Sequence, residues 1–245
     1  MLKPWFSFSE NGNYTGNEPY FFDISSKPWK KLLENNSQVI LKELETLLNN
    51  NNKNIVPYFN QTLASTPTAW TVFPLIFWGK AYNDNCNQVK ETVNIINQIN
   101  GLISCGFSIL KPHTSIKPHY GDSNVMYRCH LTLKSNGTIE EIGMRVGTEK
   151  ITWINANLFA FCDAHNHEVW NNTNEERWIL IIDILREEFI TDKDKICALV
   201  SASLWWQIKF QKYYFLKHLP KWSRKWLMYG TSIFINFVQA IKLLF

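Results

Sequence analysis

Apolar and polar positions change their rhythm three times along the chain. From Lys27 to about Asn51, Trp29, Leu32, Leu33, Val39, Ile40, Leu44, Leu47 and Leu48 recur at three- and four-residue steps, the period of an amphipathic helix. One helix is predicted there, ending in the Asn-rich loop Asn49 to Asn54. Trp70 to Trp78 is a short apolar run with β-branched and aromatic residues and predicts a strand. A second helix is expected over Gln88 to Asn100.

From Leu102 the texture becomes short runs divided by turn residues: Ser104–Leu110, Met126–Leu133, Thr138–Val146, Ile151–Ile154, Leu158–Cys162 and Arg177–Leu185. Several alternate, and the breaks hold Gly121-Asp122, Ser135-Asn136-Gly137 and Asn171-Asn172-Thr173-Asn174. The expected fold is mainly β with flanking helices, a compact barrel or jelly roll behind an N-terminal helical layer. The domain would run over 1–192 with its core at about 102–189, followed by a helical tail over 193–245. In that tail Leu204-Trp205-Trp206, Tyr213-Tyr214-Phe215 and Trp226 to Phe245 are aromatic, apolar and interspersed with Lys and Arg, and Pro220 breaks it into two helical pieces.

Composition changes this picture in one place. At 45% hydrophobic and 19% charged, the 245 residues exclude both a disordered chain and a wholly membrane-embedded one. The net charge of +4 is unevenly spread: Ile196 to Phe245 holds seven Lys or Arg and no Asp or Glu, which leaves 18 basic against 21 acidic side chains before it. Asn236, Gln239 and Lys242 make the last piece a poor spanning helix. It suits the anionic surface of a membrane over 204–245, or else a structural cap or dimer face. Cys86, Cys105, Cys129, Cys162 and Cys197 are odd in number and lack CxxC spacing, so buried thiols in a reducing compartment are expected. Met1-Leu2-Lys3-Pro4-Trp5 shows no export signal. The expected location is the cytoplasm, peripherally on the inner face of a membrane, with no nucleic-acid partner.

The candidate chemistry lies in the β-rich part. Five of the six histidines fall between His113 and His167, and His119 and His167, 48 positions apart, each head a polar motif beside a β-rich run. Two such imidazoles can meet on one metal and leave coordination positions open. Their separation suits ligands from opposite sheets of a jelly roll.

Several motifs follow one another in order: Phe107-Ser108-Ile109-Leu110, Pro118-His119-Tyr120-Gly121, Arg128-Cys129-His130-Leu131-Thr132-Leu133, Thr152-Trp153, Phe161-Cys162-Asp163, His167-Glu168-Val169-Trp170 and Arg177-Trp178-Ile179-Leu180-Ile181-Ile182-Asp183. Together they resemble the aspartyl/asparaginyl β-hydroxylase family, iron(II)- and 2-oxoglutarate-dependent dioxygenases on a double-stranded β-helix. The resemblance implies that His119 and His167 ligate iron, with 2-oxoglutarate and O2 as cosubstrates. It assigns Arg177 to the distal carboxylate of 2-oxoglutarate, Ser108 as a second donor, and His130 to the other carboxylate end. Arg128, two residues before His130, would line the same pocket on an extended strand and take a catalytic role.

Relatives across the wider class carry a carboxylate two positions after the first histidine, where this chain has Gly121. The resemblance implies a two-histidine site completed by water, with Asp122 as the fallback third ligand. His113 and His165 are read as packing or supporting residues and Glu168 as a surface contact, since strand alternation turns Glu168 away from the metal.

The reaction expected is hydroxylation of an unactivated carbon, on an aspartyl, asparaginyl or related amino-acyl substrate in a peptide or on a carrier. The alternative is a membrane-lipid acyl chain, of lipid A or ornithine-lipid type. Met126 stands where some relatives acting on acidic residues have an arginine, and lipid-hydroxylating bacterial relatives also carry basic hydrophobic C-terminal segments; both features favour the alternative. His167-Glu168-Val169-Trp170 favours the peptide branch. A halogenase, and a jelly-roll binding module without iron, are the remaining readings.

Overall fold

The computed structural model describes residues 3–8, 13–50, 52–213, 216 and 218–242, without the side chains at 211, 221, 222, 224, 225 and 237–242. Tyr214, Phe215, the side chain of Trp222 and the end of the chain at 243–245 therefore lie outside the described residues.

The elements run β1 (Phe21–Phe22), α1 (Pro28–Asn35), α2 (Ser37–Asn49), β2 (Val56–Pro57), β3 (Trp70–Phe77), β4 (Lys80–Ala81), α3 (Asn83–Cys86) and α4 (Lys90–Ile96). The β-rich part follows as β5 (Leu102–Leu110), β6 (Thr114–His119), β7 (Met126–Lys134), β8 (Ile142–Val146), β9 (Glu149–Ile151), β10 (Leu158–Phe161), β11 (His167–Asn171) and β12 (Arg177–Leu185). A 3-10 turn (Glu187–Asp192) leads into α5 (Lys193–Lys212) and α6 (Lys221–Lys242).

Two antiparallel sheets face each other. The larger runs β1-β10-β7-β12-β5-β3-β2 with β4 on β3, and the smaller runs β6-β11-β8-β9. One face of the larger sheet, with Cys105, Phe107, Cys129, Leu131, Leu180 and Ile182, packs under α1, α2 and α4 around Leu33, Ile40, Leu44 and Ile96. Its other face meets the smaller sheet through Leu110, Phe159, Phe161 and Ile179 against Ile116, Met144, Val146 and Val169. Burial on both faces explains why β5, β7 and β12 read as near-continuous apolar runs, and why the polar residues on their inner face stand out. The result is the expected mainly β jelly-roll architecture with a helical layer in front and a helical tail behind.

The sequence periodicity predicts one helix where two form. At Asn36 the backbone leaves the helical region (φ −103°, ψ 7°), and the Asn36 amide donates to the Leu32 carbonyl, a side-chain bond of the kind that competes with the helical ladder. The second predicted helix is shorter than expected, because Gln88 and Val89 belong to the turn before α4. The break at Pro220 falls where expected, directly before α6. The start of α5 is not a free tail: Ile196, Cys197, Val200 and Leu204 pack with Phe6, Trp78, Ile103, Val125, Met126 and Leu185. All five cysteines are free thiols, and four of them are buried.

Candidate active site

The two histidines are nearest neighbours within the smaller sheet. β6 and β11 pair antiparallel with His167 opposite His119, and the ring centroids are 4.2 Å apart. The expected placement on opposite sheets is thus corrected: the 47 intervening residues leave the smaller sheet through β7, return through β8 and β9, and leave again through β10. A bulge makes the pair. Between Val169–Ile116 and His167–His119, β11 advances two residues and β6 three, so a position that strict alternation would turn outward is re-aimed inward. Pro118, which has no N–H for a ladder, sits in that irregularity.

Backbone carbonyls fix both rings in one tautomer. Nδ1 of His119 meets the Lys117 carbonyl at 2.8 Å, and Nδ1 of His167 meets the His165 carbonyl at 2.9 Å. A carbonyl only accepts, so each Nδ1 carries the proton and each Nε2 keeps its lone pair. Burial lowers the pKa of His119 and lowers that of His167 well below the usual histidine value, the latter with help from His119. Both rings are held neutral, the form that ligates a metal.

The facing strands of the larger sheet carry the charged groups. Arg177 is 1% exposed. Its Nη2 lies 3.4 Å from Ser108 Oγ, its plane sits 4.6 Å from the Trp153 ring centroid, and its Nε has no partner. Desolvation pulls its pKa down to about 9. Among the described residues no carboxylate pairs with it. Ser108 Oγ also accepts from Trp70 Nε1 at 3.0 Å, which leaves the serine hydroxyl hydrogen to point elsewhere. His130 has the opposite tautomer to the other two: Trp153 Nε1 donates to its Nδ1 at 3.4 Å, so its Nε2 carries the hydrogen. Burial and then the Arg177 charge hold it neutral. His130 is therefore a donor toward an acceptor, and not a second kind of metal ligand.

Arg128 differs in being already satisfied. Its Nε and Nη2 donate to the two carboxylate oxygens of Asp183 at 2.8 and 2.9 Å, and Nη1 donates to Asp163. Desolvation opposes its charge, but Asp163 and Asp183 outweigh it and raise the pKa well above the ordinary arginine value. Asp183 lies directly across from Arg128 in the ladder.

Asp163, a member of the ordered motifs to which the resemblance assigns no role, organises the site. Fully buried, it accepts from the Asp122 backbone N–H at 2.7 Å and from Arg128, and its Oδ1 is 3.8 Å from His167 Nε2. A Cβ on Gly121 would overlap this carboxylate. The glycine is therefore required for space: the volume a side chain at 121 would take is filled by Asp163 from another part of the chain. Asp122 pairs with neither imidazole among the described residues, and burial beside Asp163 raises its pKa to about 7. Gly121→Ala is expected to destabilise the fold by about 1–3 kcal/mol through overpacking against a pinned, buried group. Urea denaturation would show it as a lower midpoint at an unchanged slope.

The remaining sequence candidates lie outside this cluster. His113 Nε2 contacts Asn174 Oδ1, and His165 Nε2 contacts the Glu18 carbonyl between the edges of Tyr14 and Tyr20. Glu168 faces outward and pairs with Arg145 opposite it on β8. Met126 is fully buried in the cluster beside α5. Besides Asp163, the structure adds Asp183, Trp153 and Trp70 as supports. Their only sequence signal is membership of the ordered motifs or of the β3 run.

Comparison with known proteins places the chain in a family. Residues 34–187 match the family described as Aspartyl/Asparaginyl beta-hydroxylase. The chain is 29% identical over 176 residues to an ornithine lipid ester-linked acyl 2-hydroxylase of Rhizobium tropici, covering 70% of this chain and 62% of that protein. It is 30% identical over 176 residues to human aspartate beta-hydroxylase domain-containing protein 2, covering 68% of this chain and 47% of that protein. The chain thus spans about half to three-fifths of the length of these relatives. The fold is also similar to the crystal structure of a Pseudomonas putida prolyl-4-hydroxylase, at a TM-score of 0.42 and 18% identity, covering 64% of this chain and 90% of that one. With the family match extending from the end of α1 through β12, the chain belongs to the aspartyl/asparaginyl β-hydroxylase family.

Proposed function

We propose that the protein is an iron(II)- and 2-oxoglutarate-dependent hydroxylase of an unactivated carbon. The observation that carries this reading is Arg177, a buried guanidinium with an unpartnered Nε and, among the described residues, no counter-charge. Leaving such a charge unpaired is costly, and a carboxylate arriving in two parallel hydrogen bonds is the group that best relieves it. Two inward imidazoles with free Nε2 lone pairs fit a metal across the pocket, and the N–H of His130 fits a second carboxylate. This donor set would suit a dicarboxylate at Arg177 and His130 beside a metal at the two imidazoles.

When bound, iron(II), 2-oxoglutarate and O2 supply an oxidant that replaces a C–H hydrogen by hydroxyl, while 2-oxoglutarate becomes succinate and carbon dioxide. The chain's own contribution is placement. His119 and His167 would hold the metal from one sheet, and Arg177, Ser108 and His130 would hold the dicarboxylate from the other, with Trp70 and Trp153 locking Ser108 and His130. Arg128 is a positioning residue, since its charge is spent on Asp163 and Asp183, and it keeps Asp163 beside His167.

The names of the two relatives describe similar targets. Carbon 2 of an ester-linked acyl chain and the β-carbon of aspartate are each the methylene beside a carbonyl carbon. We propose that the target here is a methylene of that kind, in an aspartyl, asparaginyl or related amino-acyl group or in a lipid acyl chain. A neutral ester or amide carbonyl is favoured over a free carboxylate, because the cations acting on the imidazoles, Arg128 and Arg145, are both already paired with acidic side chains.

The test is to load the protein with iron(II) and 2-oxoglutarate in air and offer aspartyl and asparaginyl peptides, acyl esters and ornithine lipid. Succinate should form in step with a product one oxygen heavier, and neither should form anaerobically. Product formation that persists without 2-oxoglutarate would overturn the assignment.

A further inference from the structure

The C-terminal hairpin turns its apolar side outward. α6 buries Met228 and Ser232, while Trp226 is 74%, Ile233 71% and Phe234 66% exposed, with Tyr229 beside them also exposed. Positions 226, 229, 230, 233 and 234 are spaced by three, four, seven and eight, so they form one helical face. Gly230, in the middle of that face, has open space where a Cβ would stand. A helix packed on a water-soluble body ordinarily does the reverse and hides such a stripe. α5 adds exposed Trp205 and Ile208. The two helices are pinned by Trp206 Nε1 donating to Thr231 Oγ1 at 2.9 Å. Lys209 lies over the rings of Trp205 and Tyr213 at 4.9 and 5.8 Å, so a cation borders the apolar surface.

The charge of this region identifies what covers it. By sequence, Ile196 to Phe245 carries seven basic residues and no acidic one. A second copy of the chain would set two such surfaces against each other at an electrostatic cost. An anionic lipid leaflet offers the opposite charge and an apolar interior directly beneath it. No described helix is long and apolar enough to cross a membrane, so the hairpin would lie along the surface. We infer that α5 and α6 form an interfacial hairpin that docks the protein on an anionic bilayer, with Trp226, Ile233 and Phe234 entering the acyl region and the basic side chains meeting lipid phosphates. This inference stands on the hairpin and is independent of the reaction proposed above.

Co-sedimentation of the full-length chain with vesicles tests it. Binding is expected to vesicles of equal parts phosphatidylglycerol and phosphatidylcholine, to weaken with salt, and to be much weaker on phosphatidylcholine alone. The double substitution Ile233→Ser with Phe234→Ser should cut the affinity by about a hundredfold, with helical circular dichroism unchanged because both side chains are exposed. Lys209→Ser should cut it by about fivefold and only on the anionic vesicles. Trp226→Ser gives a second apolar variant should the double substitution disturb the hairpin. Full-length protein that ignores anionic vesicles, or binds both vesicle types equally, overturns the inference. So does a concentration-dependent dimer that the apolar substitutions convert to monomer while vesicle binding stays unchanged.

Discussion

Replacing His119 or His167 with Ala is expected to strip the protein of iron(II) and abolish succinate formation. The structure brings two imidazoles together and, among the described residues, no third ligand forms a metal-binding group with them. Each substitution therefore removes half of the proposed ligand set. Loss of a supporting residue around a metal ligand costs roughly 10–100-fold in affinity, and loss of a ligand should exceed that. The two variants should differ in stability. His167 is buried against Phe161, whereas His119 is half-buried, so His167→Ala leaves a cavity and should also lower the melting temperature. Bound iron by metal analysis, together with succinate release, is the measurement. Retention of both in either variant removes the proposed site.

Arg177→Met is expected to do the opposite to the two affinities: 2-oxoglutarate binding should fall by about 2–4 kcal/mol, the range for breaking a buried charged pair, while iron(II) is retained. That loss is roughly 30- to 1,000-fold in the apparent constant. The cosubstrate-free variant should be at least as stable as the parent, because an unpaired buried charge is exchanged for an apolar chain of similar length. The parent should gain stability on adding 2-oxoglutarate, by about 2.7 kcal/mol at a hundred times its dissociation constant. The variant should lose that gain over the same range. Thermal melts with and without 2-oxoglutarate read both effects without turnover. Equal loss of iron and cosubstrate would mean that the barrel is disturbed and that Arg177 is no clamp.

What the sequence makes legible follows from burial. β5, β7 and β12 are sandwiched between helices and the smaller sheet, so their apolar runs are long and their inner-face polar residues, Ser108, Arg128, His130 and Arg177, are conspicuous. The strands that carry the histidines are harder to see. β6 reads Thr-Ser-Ile-Lys-Pro-His, half solvent-facing and ending in a proline, and it shows no run at all. Alternation counted from Ile116 would also turn His119 outward; only the bulge in the pairing with β11 reverses that, and a bulge is a property of two strands together. Asp163 is invisible for the same kind of reason. Its importance comes from contacts with Gly121, Arg128 and His167, each distant from it in sequence or facing it by folding. The helix break at Asn36 is a one-residue competition that periodicity does not register.

The two sheets divide the proposed labour: His119 and His167 belong to the smaller one, and Ser108, His130 and Arg177, which we propose hold the dicarboxylate, belong to the larger. Inheritance can therefore act on the halves separately. On the proposed reading, a descendant that lost a histidine would keep the side chains that receive the dicarboxylate and lose half of the metal seat. A descendant that lost Arg177 would keep a paired-imidazole metal seat open to another anion. Asp163, in the connection from β10 of the larger sheet to β11 of the smaller, bonds Arg128 on one side and lies 3.8 Å from His167 on the other, so it is the stitch between the halves, and a change there would be felt by both.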